Sequence, residues 1–188
     1  METDRGRYRC EHLIITAGPW AGRLLQEIDV PLTVTRQQKF YFTPQQRAPF
    51  LPEHLPVFCD YMANFYGFPY FGPGVKVADD NLGTITDPVA INRDINLETQ
   101  AMLKQWLEQV MPETRWTEGE FATCMYTLIP DRDFIIDYHP AHPRVLIGAG
   151  FSGHGFKFST LIGRILSDLA IAGRTDYPIE PFHLERFR

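Results

Sequence analysis

The stretch 145–158, VLIGAGFSGHGFKF, constrains the chain most. The apolar run Val145-Leu146-Ile147 meets a glycine cluster, Gly148, Gly150, Gly153 and Gly155. An amphipathic helical pattern follows over residues 156–172. Strand, glycine turn and helix in that order aim backbone N–H groups and the positive end of a helix dipole at an electron-rich ligand. Glycines let such a ligand approach the backbone, and Lys157 adds a positive charge in the first turn. Residues 148–153, GAGFSG, also fit GxGxxG. That reading needs a second strand with an acidic residue about 20 positions on. The chain instead runs through a helix into an extended tail, so this is not the adenosine-binding turn.

Upstream, residues 8–16 read as a strand ending in Leu13-Ile14-Ile15. Residues 17–20 form a turn, with Pro19 suited to a first helical turn. A helix over 20–27 places Trp20, Leu24 and Ile28 on one face. A strand, turn and helix with nothing before them read as the end of a unit, with residues missing upstream. Residues 32–42 alternate as a long strand, and the proline-rich 44–56 is a loop. Residues 57–62, 64–71 and 75–78 read as short antiparallel strands covering a site, and 79–96 as irregular. A helix over 97–110 turns Leu97, Met102 (or Ala101), Leu107 (or Trp106) and Val110 inward and stops at Pro112. A strand over 121–127 carries Cys124 and Tyr126, 134–137 is a buried strand, and 177–188 is an extended surface tail. The expected fold class is α+β, dominated by a mostly antiparallel sheet, with helices near 19–28, 97–111 and 155–172.

At 188 residues and 44% hydrophobic content the chain can bury a core. A net charge of −5 without a basic stripe argues against a nucleic-acid partner. No apolar run reaches the roughly 18–20 residues of a membrane span, and the polar N-terminus is no signal peptide. Cys10, Cys59 and Cys124 are too scattered for a disulfide framework, which fits a reducing cytoplasm. No metal site is expected: His139 and His142, beside Pro140 and Pro143, read as loop, and no Cys/His set has ligand spacing. Ser152 near His154 lacks the glycine-flanked pattern of a serine nucleophile.

Several motifs together resemble the monomeric sarcosine oxidase and N-methyltryptophan oxidase family, flavin amine oxidases of the D-amino-acid-oxidase-like superfamily. They are Cys124-Met125-Tyr126-Thr127, Pro130-Asp131, 134–137 (FIID), 150–158 (GFSGHGFKF) and the opening 13–20 (LIITAGPW). The resemblance covers essentially all of this chain but only the C-terminal half or so of the family's chain. It implies residues 1–30 as an end segment of an FAD-binding domain, 31–120 as a substrate domain and 121–188 as the C-terminal part of the FAD-binding domain. It also implies FAD-dependent oxidation of an N-methyl amino acid to an imine, with oxygen reduced to hydrogen peroxide.

By the same resemblance, Cys124 is the cysteine that links covalently to the flavin. On residue type alone it reads as a small buried hydrophobe, and the flanking Met125-Tyr126-Thr127 reverses that. Lys157 is implied to bind the substrate carboxylate, against the plain alternative of a snorkelling surface lysine. Tyr126 is implied to border the substrate pocket, or is a half-buried core tyrosine. Gly150, Gly153, His154, Gly155 and Phe156 are implied to line the flavin, with backbone N–H groups toward its pyrimidine end. Lys76 aligns with a lysine that promotes oxygen reduction, or is a solvated strand lysine. The family's sarcosine oxidases have a histidine where this chain has Asp80, which leaves the amine substrate open. The other reading is a truncated non-catalytic fragment, or a half-protein that needs a dinucleotide-binding N-terminal half on another chain.

Overall fold

A computed structural model of the chain describes residues 2–80 and 83–187; Asn81 and Leu82, within the expected irregular stretch, and Arg188, at the end of the expected tail, lie outside the described residues. In chain order the strands begin with β1 (Glu2–Thr3), β2 (Gly6–Arg7) and β3 (Leu13–Ile15), followed by α1 (Ala21–Leu24). Next come β4 (Thr33–Pro44), β5 (Phe58–Asp60), β6 (Phe65–Tyr70), β7 (Val75–Asp79) and β8 (Thr84–Ile85). The remainder is α2 (Leu97–Val110), β9 (Trp116–Leu128), β10 (Ile135–His139), β11 (His142–Ala149) and α3 (Ser159–Ala172). The chain forms two compact units: one holds the described residues up to Val34 and from Tyr126 onward, the other holds Thr35–Met125. The elements are mixed α+β, mostly sheet. No helix among the described residues is long and apolar enough to cross a membrane.

The first unit is built on a three-stranded sheet in the order β10-β11-β3. β10 and β11 form an antiparallel hairpin, and β3 runs parallel to β11, pairing Leu13 with Val145 and Ile15 with Ile147. Both faces of β10 and β11 are covered, which is why they carry continuous apolar runs, while Ile14 of β3 stays exposed. Ile136 and Leu146 meet Ile162, Ile165, Leu166 and Leu169 of α3. Ile135, Ile147 and Ala149 meet Ala21, Leu25 and Leu184 on the other face. Gly173, left-handed at φ 69°, ends α3 by donating its N–H to the Leu169 carbonyl.

Several expectations for this unit are corrected. The strand expected over 8–16 is confined to Leu13–Ile15, and residues 2–7 form a small hairpin instead. Residues 8–12 are exposed and lack the alternation that would seat them on a core. The helix expected over 20–27 is one turn, Ala21–Leu24, after a 3-10 turn at Gly18–Trp20. The tighter turn shifts the helical phase, so Ala21 and Leu25 are buried while Trp20 and Leu24 are exposed. The tail is not extended: it makes 3-10 turns at Glu180–Phe182 and Leu184–Phe187 and buries Leu184. His139 and His142 are not loop residues; they pair across the closed end of the β10–β11 hairpin.

The second unit is a six-stranded sheet in the order β5-β6-β7-β4-β8, with β9 also paired to β4. Phe40 and Phe42 of β4 and Val75 and Val77 of β7 alternate onto one face, where they pack with Leu103, Trp106 and Leu107 of α2. The extent of α2 matches the sequence expectation, and so does the burial of Leu107 and Trp106, but the rest of the expected inner face does not. Leu103 is fully buried, whereas Leu97 is 66% exposed and Met102 and Val110 are also exposed. The buried stripe is Gln100, Leu103, Trp106 and Leu107. Asn96 caps the helix by accepting the Thr99 N–H at 3.1 Å, worth about 1 kcal/mol. The half-exposed end at Leu97 therefore needs no core contact to start the helix. Gln38 ties this cap to the sheet: its carbonyl accepts the Asn96 N–H at 2.8 Å, and its amide donates to Thr123 Oγ1 at 2.8 Å.

Candidate functional site

The glycine turn belongs to the first unit. β11 ends at Ala149, and Gly150 and Gly153 both take left-handed backbone, φ 65° and 84°. At Gly153 an added Cβ would lie 2.5 Å from the Tyr126 ring, far inside contact distance. This glycine is therefore required by the protein's own packing, a reason beyond the ligand approach inferred from the sequence. Ser152, also left-handed at φ 49°, is buried. Its N–H donates to the Thr127 carbonyl and its hydroxyl to the Gly150 carbonyl, both at 3.0 Å. These bonds explain why a serine tolerates that conformation, and they give Ser152 a structural rather than nucleophilic place.

His154 lies in the same turn, its Nδ1 3.1 Å from the Ser152 carbonyl and its ring 5.1 Å from that of Phe134. The Gly155 carbonyl accepts the Phe158 N–H at 3.0 Å, starting a 3-10 turn over Phe156–Phe158. α3 proper begins at Ser159, so Lys157 stands just before the helix rather than inside its first turn. Phe156 is 94% exposed, and the exposed Lys157 places its ammonium 5.3 Å from the Phe158 ring centre.

The other candidate residues lie on the outer face of the second unit's sheet. Tyr41 pairs with Lys76, and Lys39 with Ala78, so Lys39, Tyr41 and Lys76 share the face opposite the core. Phe68 lies beside Lys76 on β6, and the Lys76 ammonium sits 3.7 Å from the Phe68 ring centre and 5.2 Å from that of Tyr66. On β9, Phe121 stacks against Phe40 at 6.3 Å and Thr123 bonds to Gln38. Alternation then turns Cys124 to the face of Lys39 and Lys76.

The electrostatics follow from this grouping. Partial burial pushes the Lys76 ammonium below its usual pKa, the Lys39 charge lowers it further, and Cys124 offsets part of that. Burial pushes the Cys124 thiol up, while Lys39 and then Lys76 pull it back toward the thiolate. Cys124 as a residue is nonetheless exposed. Sequence reasoning missed Lys39. The signal was present, because Lys39 alternates with Phe40 and Phe42 on a strand whose inner face is aromatic. Asp80 is exposed, and its N–H donates to the Asn64 carbonyl at 2.8 Å.

The structure thus groups Lys76 with Cys124 in one unit, and Tyr126 with Gly150, Gly153, His154, Gly155, Phe156 and Lys157 in the other. It also brings together Glu27, His139 and His142, which the sequence reading did not join.

Residues 1–169 match the family described as FAD dependent oxidoreductase, DAO. Over 99% of its length the chain is 39% identical to monomeric sarcosine oxidase of Bacillus sp. strain NS-129, and it spans 50% of that protein. It is 32% identical to N-methyl-L-tryptophan oxidase of Escherichia coli O7:K1 (strain IAI39 / ExPEC), all of this chain against 51% of that one. Among solved structures it resembles NikD, an unusual amino acid oxidase essential for nikkomycin biosynthesis, with a TM-score of 0.76 and 25% identity over 96% of this chain and 49% of that one. The chain spans about half the length of the curated relatives it matches.

Proposed function

We infer the activity from the family to which the chain belongs, the FAD-dependent oxidoreductases of the DAO type. In this reading the chain is the C-terminal portion of an enzyme that oxidises an N-methyl or other secondary amino acid, such as sarcosine or N-methyltryptophan, in the cytoplasm. The observation that carries it is the outer sheet face of the second unit. There an exposed cysteine shares an aromatic surface with two ammonium groups. That donor set suits a flat, electron-rich ring and a cysteine linked to it. FAD, when bound, would supply a two-electron acceptor for the hydride on the carbon next to the amine; hydrolysis of the resulting imine and reoxidation by oxygen to give hydrogen peroxide would complete the reaction.

The chain's own residues take defined parts. Cys124 provides the sulfur of the covalent link, and Lys39 and Lys76 favour its reactive thiolate form. Lys76, held below its usual pKa, keeps a cation beside the site of oxygen reduction and releases its proton more readily than an ordinary lysine. Lys157 binds the substrate carboxylate, and Tyr126 borders the substrate pocket. The turn containing Gly150, Gly153, His154, Gly155 and Phe156 would help to hold the flavin. Positioning and charge placement are the protein's contribution to such a reaction.

Acid precipitation of protein produced with FAD tests the link. Yellow absorbance should stay with the wild-type pellet and be lost in Cys124→Ser. A colourless wild-type pellet would favour the fragment or half-protein reading, and a colourless pellet even with a dinucleotide-binding half co-produced would rule out the covalent assignment. Peroxide release with sarcosine or N-methyltryptophan tests the oxidation itself.

A second reading is favoured by the exposed edge of β3, which borders an apolar groove of about 500 Å³ lined by Leu13, Ile15, Leu24 and Val145. In it the chain is a half-protein completed by a dinucleotide-binding half on another chain. Flavin retention would then appear only when such a half is co-produced.

A further inference from the structure

We propose that Glu27, His139 and His142 form a binding site for one divalent transition-metal ion, with zinc as its natural probe. The three residues come from separate places in the first unit. Glu27 lies in the turn after α1, and the two histidines face each other at the closed end of the β10–β11 hairpin. Their ligand atoms all lie within 4.8 Å of one another. Glu27 Oε1 is 3.2 Å from His139 Nε2 and 3.6 Å from His142 Nε2. A tetrahedral ion with bonds of about 2.0–2.2 Å holds its ligand atoms roughly 3.3–3.6 Å apart, so two of the three edges already lie close to the needed length. Two imidazoles and one carboxylate are a donor set for zinc and its first-row neighbours rather than for calcium or magnesium.

A second observation points the same way. His139 is 2% exposed, and its Nε2 is buried without a hydrogen-bond partner while lying against the Glu27 carboxylate. Buried polar nitrogens are rarely left so, and an ion between the three groups would satisfy it. The His139 and His142 rings, 4.8 Å apart and 30° from parallel, are held by the hairpin pairing. The same residues line part of the apolar groove beside β3, which leaves a side of the ion open to water. One local bond opposes the arrangement: the Ala141 N–H donates to His139 Nδ1 at 3.2 Å. Metal at Nε2 needs the ring proton on Nδ1, so this long contact would be given up on binding. The ion would pin the hairpin end to the turn after α1.

The test needs no flavin. The 188-residue chain is titrated with Zn²⁺ by calorimetry, with Co²⁺ absorption reporting the coordination. Glu27→Gln and His142→Ala serve as variants, because both side chains are exposed and their loss leaves the core intact. The expected result is one ion per chain, a raised thermal midpoint with metal, and binding at least about tenfold weaker in each variant. No binding would overturn the proposal. So would binding undiminished in either variant, which would place the ion on the exposed cysteines or on fewer than three ligands.

Discussion

At the residue scale, the feature that decides chemistry is the company Cys124 keeps. A thiol on an open sheet face would have ordinary reactivity, but burial raises its pKa and the Lys39 and Lys76 charges pull it back. Removing one cation therefore has a definite sign. In Lys39→Met the thiol pKa should rise further. Alkylation of Cys124 by iodoacetamide should then slow at neutral pH, while the limiting rate at high pH stays the same. Cys10 and Cys59, whose rates can be followed by peptide mapping of the same sample, should not change. An unchanged Cys124 rate profile would show that Lys39 does not act on the sulfur. The identity of Cys124 as the notable cysteine was legible from its neighbours Met125, Tyr126 and Thr127. Of its two cations, Lys76 was named only through the family resemblance and Lys39 not at all, because they arrive from β4 and β7 through strand pairing.

At the scale of elements, α2 separates what periodicity can and cannot say. Its extent was legible from the sequence, with Pro112 as the stop, while the cap at Asn96 that fixes its start was not singled out there. Its inner face was legible only at Leu107 and Trp106; Leu97, Met102 and Val110 are apolar by type, but the packed helix leaves them exposed. The sheet chooses the stripe that presents Leu103, Trp106 and Leu107 to Phe40 and Val77. The two faces should respond differently to truncation. Leu103→Ala, at a fully buried position, should cost about 2–5 kcal/mol in urea unfolding. Leu97→Ala, at an exposed one, should stay within about 0.5 kcal/mol of wild type. Equal effects would mean that the helix does not pack as described. The same logic explains α1, where a 3-10 turn moved the buried positions to Ala21 and Leu25.

At the scale of the whole molecule, the C-terminal turns are part of the first unit's fold rather than a surface strap. Arg186 donates to Asp131 Oδ2 at 2.7 Å and to the carbonyls of Phe134 at 2.8 Å and His183 at 2.9 Å. Its hydrogen bond holds the Asp131 carboxyl below its ordinary 3.8, so the pair stabilises the fold above that pH and loses its effect as pH falls through the lowered value. Arg186→Met should lower the thermal midpoint by a constant amount between pH 7 and about pH 5, and the gap should narrow below about pH 3.8. A residual gap should remain from the two carbonyl bonds, which do not titrate in this range. A gap that does not depend on pH would remove Asp131 from the account.

Local order was written in the chain: the apolar runs at 13–15 and 145–147, the glycine turn at 150–155, the alternation of β4 and the cap of α2 are all properties of neighbours a few positions apart. The family resemblance rests on the same short-range patterns. What folding alone settled are the long-range meetings, namely Lys39 and Lys76 beside Cys124, Tyr126 against Gly153, and Glu27 between His139 and His142. These depend on register between strands far apart in sequence, and a period of two or 3.6 residues carries no information about which distant strand lies alongside.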